Sequence, residues 1–417
     1  MELTNLQLRR FPHPWRAMLA ICSDLDETPD RRTYWEIMRF LNTTQTTAMG
    51  TGAGLEVGNS IYFNMPNTQF SYWNADPAGR EMIQNLIQSG HIDCIHSFGD
   101  LAETRADAAK SLDELTHHNC RIKTWIDHAQ APTNFGSDIM QGHGDQPDHD
   151  AYHADLSTQY GIRYIWRGRV TSMIGQGTTA HYRDLFQCDH PAYSSRTILK
   201  EFTKRTLGTL GYPKYQLNAL NDVMIETELR DGRKTYEFLR SNPCWQGVSA
   251  ATTAEGLASV LTNTFLDNLI RRQGFCILYT HLGKIKDPRL PFTPRTQDAL
   301  RRLARYVQEN QILVTTTSRL LDYVLAIRNI SPSIIVSNNK ITINLIRRNI
   351  PSHHIQSSDI SLEGISMDVP ANIQVNLLAD GKPIAHKRQG LRKNSSVVTI
   401  TIPWSKLQFP DNQKDWS

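Results

Sequence analysis

Long hydrophobic runs are missing from this chain. The apolar stretch Ala17–Cys22 has six residues, far short of the roughly 20 that a membrane-spanning helix needs. Arg9 and Arg10 precede it in the manner of a signal sequence, but acid follows at once, so no apolar signal core is formed and a cytoplasmic protein is expected. The six cysteines (Cys22, Cys94, Cys120, Cys188, Cys244, Cys276) contain no CxxC spacing, which excludes a zinc ribbon and argues for buried thiols over a disulfide frame. Charge of one sign is not in excess either: Lys and Arg number 45 against 41 Asp and Glu, a net +4 spread along the chain. That balance gives no reason to expect a nucleic-acid or anionic-membrane partner. The one locally basic stretch, Arg347 to His354, reads as a solvated loop. Four glycines between Gly50 and Gly58 match neither a phosphate-binding loop nor a dinucleotide fingerprint, and their plain reading is backbone flexibility.

What is present is the residue budget of an ordinary globular protein, 39% hydrophobic and 21% charged over 417 residues, enough for two domains. The first organising feature is the end of the Ala17–Cys22 run, where Asp24, Asp26 and Glu27 put three carboxylates within four positions. On a strand, Asp24 and Asp26 share a face while Leu25 points away. Paired carboxylates at a buried strand end repel one another unless a metal, a proton or water offsets them. Thr28 and Pro29 are expected to cap and open the next helix, and they leave the two aspartates unexplained.

Downstream, one pattern repeats. Tyr34, Ile37, Met38 and Leu41 mark an amphipathic helix; Met82 to Ile87 mark another, stopped by Gly90 and followed by the strand 91–96. Helices around 106–118 and 154–160 feed the strands 122–128 and 162–166. A helix from Leu257 to Leu269 feeds 275–281, and one capped by Thr293 and Pro294 feeds 312–315. Helix, stop, apolar strand and polar strand end describe a parallel α/β array, whose active face lies at the C-terminal strand ends. From Ser331 the pattern changes to period-two alternation with turns at Asn338–Asn339 and Asp380–Gly381, the signature of antiparallel β. The expected division is a (β/α) barrel domain over 1–328 and a small antiparallel β-domain, sandwich-like, over 329–417.

The strand ends collect Asp24 and Asp26, His96 and Asp100, Asp127 and His128, Trp166, and His281. Carboxylates and imidazoles on one face have the composition of a divalent-metal site with a base beside it. His96 and Asp100 stand at i and i+4, a spacing that one helical turn would bring to one ion. The loop Gln141–His153, with His143, His149 and His153 among three aspartates, reads as a substrate loop, a second metal site, or a polar loop whose Asp148 or Asp150 caps the next helix. His143 and His153 are candidate glycan contacts. Trp166 and Arg167 are placed to stack on and hydrogen-bond to a sugar ring, or Trp166 belongs to the core.

Asp24-x-Asp26 on the first strand, His96-Ser97 with a metal-capable residue at i+4, and Leu278–His281 resemble the NodB-homology polysaccharide deacetylases of carbohydrate esterase family 4. The resemblance covers about residues 10 to 325 in order and spacing. It implies a distorted (β/α)7 barrel with Asp24 as general base, Asp26, His96 and Asp100 as metal ligands and His281 as general acid. The chain departs from the family at Asp100, where a second imidazole is usual, and at Trp125–His128, which stands where an arginine-proline motif is expected. His128 is therefore an alternative ligand. The expected function is a metal-dependent hydrolase, one divalent ion and zinc by expectation, removing an N-acyl group from a nucleotide-linked or lipid-linked sugar in bacterial surface-polysaccharide (O-antigen) synthesis. The alternative is a catalytically lapsed, glycan-binding relative.

Overall fold

A computed structural model describes residues 6–24, 28–244, 253–337, 339–350, 355–390, 396–410 and 416. Among them the chain forms two compact units: residues 1–17 with 319–406, and residues 18–318 with 407–417. The division falls inside the helix Thr317–Asn329, ahead of the expected 328/329 boundary.

The larger unit is built on an eleven-stranded sheet. Its strands are β1 (Ala17–Ser23), β2 (Asn59–Ile61), β3 (Ile92–His96), β4 (Thr124–Ile126), β5 (Tyr164–Trp166), β6 (Val170–Thr171), β7 (Met224–Glu228), β8 (Lys234–Phe238), β9 (Arg240–Ser241), β10 (Phe275–Thr280) and β11 (Ile312–Thr315). In space they run β6-β9-β10-β1-β2-β3-β4-β5-β8-β7, with β11 also on β1. The sheet curls and is mostly parallel; the pair β7–β8 is antiparallel. β1 is buried along its whole length, as its unbroken apolar sequence requires for a strand covered on both faces. One segment, 234–241, pairs with β5 through its first half and with β10 through its second, so β8 and β9, the strands second from either end of the order, are continuous in the chain.

The helices follow the periodicities of the sequence with local differences. The first spans Arg31–Asn42, and its cap is Asp30, whose carboxylate accepts from the Thr33 N–H at 2.8 Å; Thr28 is not the cap. The helix expected from Leu257 to Leu269 is two, Leu257–Val260 and Asn263–Arg272, since Thr262 caps the second by accepting from the Phe265 N–H. The helix Ala154–Tyr160 closes at Gly161, as expected, but its N-cap is His153 without a side-chain bond, so neither Asp148 nor Asp150 caps it. Gly58 answers to close packing more than flexibility: a Cβ there would stand 2.1 Å from Asp93 Oδ1. Residues 407–410 and Trp416 return to this unit, where the Phe409 and Trp416 rings lie 5.1 and 6.4 Å from that of Trp35.

The smaller unit carries two sheets. Ile330–Ser337, Lys340–Arg347, Gln374–Ala379 and Lys382–Pro383 make one, and Ser366–Pro370, Val397–Thr401 and Lys387–Gly390 the other. Alternation predicts their faces: Ile341, Ile343 and Leu345 are buried while their neighbours are not. Pairing is antiparallel except between Lys340–Arg347 and Gln374–Ala379, which run parallel because a long connection separates them. The turn at Asp380–Gly381 has both residues at positive φ, as a tight hairpin demands, and Asn338 lies outside the described residues.

Among the described residues no helix is long and apolar enough to cross a membrane. Cys22, Cys94, Cys120 and Cys276 are buried, Cys244 is half-buried and Cys188 is exposed.

Candidate functional site

The parallel register brings the C-terminal ends of β1, β3, β4, β5, β9 and β10 to one edge. Ser23 stands opposite Thr280, His96 opposite Ile126, and Ile126 opposite Trp166. Asp24 continues β1 by donating its N–H to the Thr280 carbonyl at 3.0 Å. Its side chain is 1% exposed. A carboxylate so buried needs a partner, and the partner is Arg240 at the start of β9. The guanidinium donates two bonds, Nη1 to Oδ1 at 2.8 Å and Nη2 to Oδ2 at 2.7 Å. Arg240 is itself fully buried, its charge centre 3.7 Å from the Trp166 ring centroid and 3.8 Å from that of Tyr279. Burial lowers the pKa of this guanidinium, but Asp24, Cys22 and Tyr279 together outweigh it and raise the pKa above the ordinary arginine value. Arg240 also donates to Cys22 Sγ at 3.4 Å.

Two imidazoles flank the same carboxylate. His96 Nε2 lies 3.9 Å and His281 Nε2 3.8 Å from Asp24 Oδ2. The His96 ring stacks on Tyr62, centroids 4.5 Å apart, and its Nδ1 is 3.5 Å from Ser60 Oγ. The Tyr279 hydroxyl is 3.4 Å from His281 Nε2. His128 stands edge-on to His96 with ring centroids 4.8 Å apart, and its Nδ1 is 2.8 Å from Asp100 Oδ1. Asp100 and His128, alternatives in sequence, are thus a bonded pair in space. The helical turn expected between His96 and Asp100 does not form: Ser97 has φ +46° and Gly99 φ +99°, so the segment is an irregular loop. Asp26 lies outside the described residues.

The donor set suits a divalent cation chemically. A carboxylate on His128 Nδ1 fixes the proton there and leaves the Nε2 lone pair as the ligating atom, the usual arrangement behind a metal-bound histidine. Among the described residues no three His, Cys, Asp or Glu side chains gather closely enough to hold an ion, and Asp26 is not among those residues.

The remaining candidates have structural partners. Trp166 is buried, gives its indole N–H to the Arg169 carbonyl at 2.7 Å and lends a ring face to Arg240. Arg167 pairs with Glu237 at 3.0 and 3.1 Å and reaches Thr227 Oγ1 at 2.9 Å. Asp127 is buried and accepts from Trp125 Nε1, Phe135 N and Gly136 N; burial pushes its carboxyl up to about 7 against those bonds. His153 is fully buried among Phe98, Trp125 and Phe135, with Nδ1 2.8 Å from Ser157 Oγ and Nε2 2.8 Å from the Thr133 carbonyl. Both ring nitrogens are engaged inside the fold. His143 is exposed, stacked on His149 at 4.0 Å and bonded to Gln146. In the same loop Asp145 is buried and receives the Arg230 Nε–H at 2.7 Å.

Sequence reasoning missed Arg240. The signal was available in Glu237–Ser241, an arginine set in a strand beside buried residues, but a lone arginine in a strand carries little information until its partner is known. Compared with known proteins, the sequence matches no family model and no curated protein.

Proposed function

We propose that the chain is a metal-dependent hydrolase that removes an N-acyl group from a sugar or glycan in surface-polysaccharide synthesis. The observation that carries this reading is Asp24, a buried carboxylate fixed by Arg240 with His96 and His281 on either side. The scaffold is read as a distorted (β/α)7 barrel, supported by the segment 234–241 joining β5 to β10. His96, His128 and Asp26 would hold one divalent ion, zinc by expectation, with Asp100 orienting His128. When bound, such an ion supplies Lewis acidity toward the acyl carbonyl oxygen.

The residues of the chain do the rest. Arg240 occupies one lone pair on each Asp24 oxygen, out of about four acceptor sites on a carboxylate, and locks its plane. Asp24 takes the proton of the attacking water as the C–O bond forms. His281 Nε2, steadied by the Tyr279 hydroxyl, gives a proton to the amine nitrogen as the C–N bond breaks. Water and amide thereby become a carboxylic acid and a free amine. The substrate class, a nucleotide-linked or lipid-linked N-acyl sugar, rests on the family resemblance alone.

The test is metal analysis of the purified protein beside an assay of acid released from a panel of N-acyl sugars. Stoichiometric metal with acid release supports the proposal. Bound metal with no release from any member of the panel sinks the hydrolase and leaves a glycan-binding relative.

A further inference from the structure

The helix Pro191–Thr209 faces the wrong way for a helix in water. The residues it buries are Ser194, Thr197 and Glu201. Glu201 accepts from the Thr171 hydroxyl at 2.7 Å and from Lys204 Nζ at 2.9 Å, and Lys204 also donates to the Val170 carbonyl. Toward solvent the same helix presents Leu199, 66% exposed, and Phe202, 57% exposed; Leu210 at its C-cap is 71% and Tyr212 56% exposed. Leu199, Phe202, Thr206 and the C-cap Leu210 recur at helical spacing, so three apolar side chains and one threonine lie along one outward line. With Phe186 and Leu220, residues 186–220 hold six of the eleven exposed large hydrophobic side chains among the described residues. Single exposed leucines are ordinary; a stripe of them over a polar inner face is not.

The charge around the stripe is mostly positive. Between 186 and 220 the cations are Arg196, Lys200, Lys204, Arg205 and Lys214, and the acids are Asp189 and Glu201. Glu201 is buried and paired with Lys204, so both charges are spent inside and Arg196, Lys200, Arg205 and Lys214 stand against Asp189. Lys200 has its pKa lowered by burial and by the cations of Lys204 and Arg196, a local positive field that a net charge of +4 over the whole chain conceals. The turn beyond the helix projects: Gly211, at φ +92°, has nothing within 4 Å of where a Cβ would be, and Leu210 and Tyr212 sit on either side of it.

We infer that the outward face of Pro191–Thr209 and the turn 210–214 dock on a membrane surface bearing anionic phospholipid headgroups. Leucine and phenylalanine enter the headgroup–acyl boundary, tyrosine sits at its polar edge, and the flanking cations meet phosphate. A second copy of the chain fits less well, because a two-fold contact on this face sets Arg196, Lys200 and Arg205 against the same residues of the other copy. The docking is peripheral and does not depend on the activity proposed above.

The full-length protein should cosediment with vesicles of mixed phosphatidylcholine and phosphatidylglycerol at least about tenfold better than with phosphatidylcholine alone, and added salt should weaken it. Two variants share the test, Leu199→Ser/Phe202→Ser/Leu210→Ser and Arg196→Glu/Arg205→Glu. Each changes side chains at the surface, so circular dichroism and thermal unfolding should match the wild type while binding to mixed vesicles falls by about tenfold or more. The inference is overturned by no binding to mixed vesicles, by equal binding to both kinds, or by binding that survives both variants. A dimer seen by light scattering that the serine variant dissolves, without vesicle binding, would assign the face to a second copy instead.

Discussion

Arg240 and Asp24 meet through two charge-assisted hydrogen bonds of 2.8 and 2.7 Å with neither side chain more than 1% exposed. The pair is separated by more than two hundred residues and joins β9 to the end of β1. Two buried charges cost desolvation energy, which close geometry offsets only while both partners are present. Here the faces of Trp166 and Tyr279 complete the enclosure of the guanidinium.

Removing one partner should therefore be worse than removing both. Arg240→Met leaves Asp24 buried and unmatched and is expected to destabilise the fold by roughly 3–5 kcal/mol. Asp24→Asn/Arg240→Met removes both charges and should recover part of that loss. Denaturant unfolding of the two single variants and the double variant measures the coupling; additive effects would mean that the pair contributes nothing jointly.

If the proposed metal site is right, its residues should separate by role. His96→Ala and His128→Ala should abolish metal binding, whereas Asp100→Asn, which only weakens the hold on His128 Nδ1, should lower metal affinity by about 10–100-fold. His281→Ala should keep its metal and lose turnover by about 100-fold, since a proton donor to the leaving amine contributes nothing to holding an ion. Elemental analysis and competition with a chelator read the first three. A metal-free His281→Ala protein would make His281 a ligand.

His153 makes the fold acid-sensitive. Burial pushes its imidazole down to about 4 from an unfolded value near 6.5. As pH falls through 6.5 the unfolded chain takes up a proton that the folded chain refuses, so stability is full above 6.5 and declines until pH reaches about 4. The loss over that window is roughly 3 kcal/mol from this residue. His153→Gln should show a flatter profile between those limits in urea unfolding. An NMR titration of His153 near 6.5 in the folded protein would refute the account of its burial.

Much of the larger unit was legible because its helices and strands alternate with clear periods: Tyr34 to Leu41, Met82 to Ile87 and Pro294 to Val307 each fall inside an observed helix, the last capped by Thr293 as expected. Asp24, His96 and His281 were legible as polar residues ending apolar strands, and they do meet. Periodicity gave no hold on 167–256. The helix Pro191–Thr209 buries serine, threonine and glutamate and exposes leucine and phenylalanine, so its apolar stripe points away from any core. Long-range partnerships were invisible for a different reason. Asp100 with His128, and Asp24 with Arg240, depend on which strands become neighbours, which no local pattern specifies. The parallel pair in the smaller unit escaped notice likewise, since alternation reports a strand's faces and not the direction of its partner.

The most direct test of the hydrolase is the Asp24→Asn protein in the acid-release assay, with metal content and thermal unfolding measured on the same sample. The substitution keeps the shape of the side chain and removes the base. The account predicts that wild type releases the acyl group as free acid, while the variant unfolds at a lower temperature because Arg240 loses its charged partner, is folded and loaded with metal at the assay temperature, and has a rate lower by about 100-fold or more. Release at the wild-type rate from a folded, metal-loaded Asp24→Asn protein would contradict it.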